Sequence, residues 1–151
     1  MRKRPRYDDD GNAVPAPTYN RYGDYTLPRP NGDRDELLQT YRADYTAASF
    51  PEETVAALRQ VYNEFQAQGV EVLFAYAPRN HSALTEESTY DARQALDVYL
   101  RELLPVPFLL SIEDSLYPGW QCYLIDNHLS DEGVRLHMDR ILRALTDLYG
   151  L

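Results

Sequence analysis

Asp126 and His128 stand two residues apart at the end of an apolar run, and a helix is predicted to begin directly after them. A nearby carboxylate favours the imidazolium, whereas burial and the amino end of a helix oppose it. Such a pair can hold or release a proton near neutral pH. Ser130 is placed to cap the helix by accepting from the free N–H groups of its first turn. Val134, Met138, Ile141, Leu142, Leu145, Leu148 and Tyr149 then recur at three- and four-residue spacing. That spacing predicts one apolar stripe lying against a core, with Gly150 as its stop. His128 falls in the loop at the amino end, where a rigid scaffold commonly positions chemistry.

Other side chains compete for attention. Asp131 and Glu132 join Asp126 and His128 as conceivable metal ligands, but acids in a first helical turn are explained by the helix dipole. No metal and no cofactor is expected. His81 follows a proline-ended apolar run and reads as a solvated loop histidine that could line the same cleft. His137, inside the last helix, reads as structural. Asp114 and Ser115 lie at the end of a predicted strand, without the glycine-bearing elbow that exposes a serine nucleophile. The aromatic strip of Tyr117 to Trp120 could stack on a sugar; packing over a sheet edge is its commoner use.

Composition narrows the classes. The chain has 151 residues, 44% of them hydrophobic, enough for one domain with a real core. A net charge of −9 argues against a nucleic-acid surface. Residues 1–34 carry seven basic and five acidic side chains, while the rest carry eight and nineteen. Cys122 stands alone, so no intrachain disulfide and no cysteine metal cluster is expected. The basic start at Met1 runs into Asp8, Asp9 and Asp10 where a signal peptide needs apolar residues. With no apolar stretch of membrane-spanning length, a soluble chain is expected.

The elements that must position these groups alternate. Residues 1–34 read as an irregular segment, with turns at Asp10-Gly11-Asn12 and Asn31-Gly32-Asp33, and residues 35–151 as an α/β domain. A short helix is expected over 35–45. A second follows a capping box formed by Ser49 and Glu52, buries Val55, Leu58, Val61, Tyr62 and Phe65, and stops at Gly69. Residues 70–77 read as a buried strand that Pro78 terminates, and 89–103 as a helix burying Ala92, Leu96, Tyr99, Leu100 and Leu103. Residues 108–112 read as a second strand. Helix, strand, helix, strand, helix is the order of a parallel α/β sheet. Two strands are few for such a sheet. The expectation is therefore that the first 45 residues or a companion chain, either another protein or a second copy, completes it.

In this order, and in the residues Gly69 to Pro78, Phe108-Leu109-Leu110 and above all Ile125-Asp126-Asn127-His128-Leu129-Ser130-Asp131-Glu132-Gly133, residues 49–149 resemble the second half of SGNH/GDSL-type hydrolases. The resemblance is to the branch related to cell-envelope acyl-transfer proteins. It implies a partial flavodoxin-like three-layer sandwich with a site at the carboxyl ends of its strands. It further implies His128 as general base for a serine, with Asp126 orienting the ring. An ester or acylated-carbohydrate substrate follows, as does association of the intact protein with the cell envelope.

Two departures qualify this. The family's acid lies three residues before the histidine, a position held here by Ile125, with Asp126 two before. The nucleophile block is missing: Gly23-Asp24-Tyr25 has tyrosine in place of serine and no strand before it. The chain thus reads as a C-terminal half, an esterase or O-acyltransferase domain inactive alone. The alternative is a non-catalytic binding or assembly subunit that completes its sheet with a partner.

Overall fold

The computed structural model describes residues 6–7, 13–14, 29, 42–123 and 128–151. Asp126, the Gly23-Asp24-Tyr25 mimic, the two early turns and most of the helix expected over 35–45 lie outside these residues. The described end of that last stretch is not helical. Ala43 forms a parallel bridge with Leu84, donating to Ala83 O at 2.8 Å and accepting from Thr85 N–H at 3.0 Å. Near the amino end, β1 (Arg6–Tyr7) pairs antiparallel with β2 (Ala13–Val14).

Helix α1 spans Glu52–Ala67. The capping box is not formed. Pro51 occupies the cap position, its carbonyl accepting from Thr54 and Val55. Ser49 closes the 3-10 turn Ala47–Ser49 instead, with its hydroxyl beside that of Thr46. Gly69 ends the helix with φ of +76°, a conformation that costs glycine little. Only Val55 is fully buried, Leu58 and Tyr62 pack at the core's margin, and Val61 and Phe65 stay exposed. The predicted buried face is therefore correct at the helix's start and overstated at its end.

Helix α2 (Tyr90–Leu103) follows the predicted pattern. Thr89 caps it, accepting from Ala92 N–H at 3.2 Å, and Leu96 and Leu100 are buried. Between the helices, the two predicted strands pair in parallel at one bridge, Phe74 with Phe108. The regular ladder lies further on, where β3 (Arg79–Asn80) pairs in parallel with β4 (Leu116–Tyr117). Pro78 does not end the run, and 108–112 does not continue as a strand. From Phe74 to Arg79 one segment advances five residues while the other advances eight, from Phe108 to Leu116. The surplus is the turn around Glu113–Ser115. Ser111 Oγ donates to Asp114 Oδ2 at 2.6 Å and accepts from Asp114 N–H at 3.1 Å, so side chains compete with the ladder for the backbone there.

The architecture is accordingly α/β in the broad sense: helices around a short two-stranded parallel sheet. Successive strand residues face opposite sides. Leu116 joins the main core with Tyr45, Val55, Tyr76, Leu96 and Leu100, while Tyr117 joins a second core with Cys122 and Leu129. Helix α3 (Asp131–Tyr149) covers that second side through Val134 and Leu136. Its expected burial along the whole stripe does not occur: Met138, Leu142, Leu148 and Tyr149 are each at least 44% exposed. Packing is concentrated in its first turns, where the 3-10 turn Gly119–Gln121 meets it. No described helix is long and apolar enough to cross a membrane.

One ion pair ties α2 to the strand segment. Arg93 donates through Nε to Glu113 Oε1 at 2.5 Å and through a terminal nitrogen to Oε2 at 3.1 Å. Its other terminal nitrogen donates to Ser88 O at 2.5 Å. Ser88 in turn accepts from Tyr45 N–H at 2.7 Å, which carries the network to the bridge at Ala43.

Candidate functional site

The carboxyl ends of β3 and β4 bring Asn80 and Tyr117 side by side in register. Asn80 is buried, and its side chain accepts from Ser82 N–H at 2.9 Å, fixing the 3-10 turn His81–Ala83. His81 sits exposed on that turn, as a solvated loop histidine should.

His128 lies beyond the end of β4. Cys122 and Leu129 form an antiparallel bridge, Tyr123 N–H donates to His128 O at 2.6 Å, and Ser130 N–H donates to Gln121 O at 2.9 Å. These bonds pin the backbone of His128 while its side chain is exposed. Ser130 is the cap of α3 as expected, accepting from Gly133 N–H at 3.2 Å, and is fully buried. The approach is close: a Cβ on Gly133 would overlap Gln121 O. How Asp126 stands to His128 lies outside the described residues.

The remaining candidates resolve differently. Asp131 accepts from Arg29 N–H at 3.1 Å and donates its own N–H to Arg29 O at 3.0 Å. That exchange gives it a structural role at the helix start, and no set of three potential metal ligands clusters among the described residues. Asp114 is engaged by Ser111, and Ser115 is buried with its hydroxyl donating to Ser111 O at 3.1 Å. Of the aromatic strip, Tyr117 is fully buried and Trp120 is 48% exposed, so the two do not form one platform.

His137 is the residue whose surroundings its sequence position conceals. Its Nδ1 lies 2.9 Å from Tyr117 Oη, and the two rings meet edge to face. Arg140, one turn along α3, sets its guanidinium 4.9 Å from the centre of the Tyr117 ring and donates to Asp114 O. Burial, and secondarily the Arg140 charge, pushes His137 below the usual histidine range. Burial likewise raises the Tyr117 phenol, against the opposing pull of Arg140. The neutral ring and the phenol share this hydrogen bond, with the ring's tautomer setting which of them donates. Spacing within the helix relates His137 to Arg140, but only the folded chain brings in Tyr117.

A pH dependence follows. A histidine depressed in the folded state binds its proton better when unfolded, so stability is present above about pH 6.5 and is lost as pH falls through the folded value. Urea midpoints measured downwards from pH 7.5 should decline, and His137→Gln should flatten part of that decline. An identical slope in the variant would show that His137 does not contribute to it. Compared with protein-family models, curated proteins and solved structures, the chain matches none of them.

Proposed function

We propose that this chain is an SGNH/GDSL-type acyl-ester domain, built as part of a flavodoxin-like sandwich and inactive alone for want of a serine nucleophile. The carrying observation is the element around His128. A bridged backbone, followed by the buried Leu129 and Ser130, presents the exposed His128 at the amino end of a capped helix, which Gly133 seats on Gln121. An imidazole so held can take a proton from a hydroxyl brought to it, and in this reading Asp126 is its orienting acid. Esters or acylated carbohydrates are the substrate class. Among the described residues no serine hydroxyl is hydrogen-bonded to His128; Ser88, Ser111, Ser115 and Ser130 are all engaged elsewhere.

Purified chain incubated with p-nitrophenyl acetate is therefore expected to release nitrophenol no faster than buffer containing imidazole. Turnover abolished by a serine-reactive phosphonate would overturn the missing-nucleophile reading.

A second reading, a non-catalytic assembly subunit, is favoured by the apolar side chains left uncovered on α1 and α3, among them Phe65, Met138 and Leu142. Surfaces of that kind commonly mark association.

A further inference from the structure

We propose that a second copy of this chain pairs antiparallel with the open edge of the segment that carries Phe74, about a twofold axis at Ala75. Both backbone groups of Phe74 serve one side: its N–H donates to Pro107 O and its carbonyl accepts from Leu109 N–H, each at 2.9 Å. In an extended chain, successive residues direct these groups to alternate sides. Leu73, Ala75 and Ala77 thus turn theirs to the opposite edge. Among the described residues, nothing hydrogen-bonds to the backbone of these three. Phe74 and Tyr76 pack in the main core, while Ala75 and Ala77 are exposed.

Such an edge is a template for another strand, and proteins usually blunt one with charge or proline. Residues 72–77 read Val-Leu-Phe-Ala-Tyr-Ala, with no charge. Backbone donors and acceptors in this row call for an extended peptide as occupant. Self-complementarity points to the same peptide from a second copy. With Ala75 facing its own mate, Leu73 faces Ala77, and Glu71 comes level with Arg79. Large meets small and acid meets base, each repeated by the symmetry. The methyl group at the axis lets the two backbones approach. The pairing gives the assembly reading its partner and asks nothing of His128.

Sedimentation of the full chain should show a concentration-dependent dimer. Ala75→Lys and Ala75→Glu, changes at an exposed position, should each melt as the parent does at concentrations where both are monomeric, yet weaken dimerisation by roughly tenfold or more, because like charges then face each other. Mixing the two variants should restore a heterodimer, since lysine meets glutamate only where the axis passes through residue 75. Three results would overturn the proposal. A parent that stays monomeric at every concentration removes it together with self-association. A Lys variant that dimerises undiminished moves association to another face. A mixture no stronger than its components excludes this register.

Discussion

Glu113→Leu is expected to destabilise the protein by about 3–5 kcal/mol, more than Arg93→Leu does. The order comes from an asymmetry in burial. The Arg93 side chain is 8% exposed and that of Glu113 32%. Removing the acid strands a guanidinium that reaches little solvent and keeps the Ser88 carbonyl and the face of the Tyr90 ring, 5.9 Å from its centre. Removing the base leaves a carboxylate with partial access to water. The double change Arg93→Leu with Glu113→Leu should recover much of the loss, since two apolar groups leave no unpaired charge. Urea denaturation of the three variants measures this directly. If each single change cost under about 1 kcal/mol, the pair would be behaving as a surface salt bridge, and the linkage from α2 to the strand segment would lose its energetic importance.

Gly133→Ala should also be costly, against local preference. In an exposed helix the change would gain about 1 kcal/mol. Here the new methyl group would overlap Gln121 O and lie 3.1 and 3.2 Å from Leu129 side-chain carbons. Retreat is restricted because Gln121 O already accepts from Ser130 N–H, and Gln121 N–H is bonded to Pro118 O. Overpacking of this kind costs about 1–3 kcal/mol, at least as much as the helix propensity returns, so a net loss is expected. The consequence is local as well as global. Cys122, buried at 4% exposure behind the same contact, should react faster with a thiol reagent once α3 is pushed away. A variant as stable as the parent, with an equally protected thiol, would show that the helix start yields freely.

The helices were readable because their signals are local. Thr89 and Ser130 cap where side-chain oxygens precede an apolar period, and Gly69 and Gly150 stop where positive φ is needed. The failures arise where several local devices compete. Ser49 and Glu52 have the capping spacing, but Pro51 between them already supplies the cap. Apolar residues at 108–112 promise a strand, yet Ser111 and Asp114 bind each other and fold the chain into a turn. Apolar period alone also could not tell that α3 would bury its beginning and leave Met138 and Leu142 exposed. At the candidate site, the position of His128 before a capped helix was legible. The meeting of Tyr117 with His137 was not, because twenty residues separate them and only tertiary packing joins them.

The exchange between Arg29 and Asp131 also bears on the reaction that His128 could support. The amino end of a helix ordinarily offers unpaired amides to a phosphate or an oxyanion. In α3 the Asp131 amide is taken by Arg29 O, that of Gly133 by Ser130 Oγ, and that of Val134 by Ser130 O. Negative charge developing on a substrate oxygen beside His128 would find these three donors occupied. Hydrogen bonds to that oxygen, which often supply the largest part of acyl-transfer catalysis, would have to come from donors other than these three. In the acyl-ester reading proposed above, a partner supplying the hydroxyl would not find these three amides available to hold the tetrahedral intermediate.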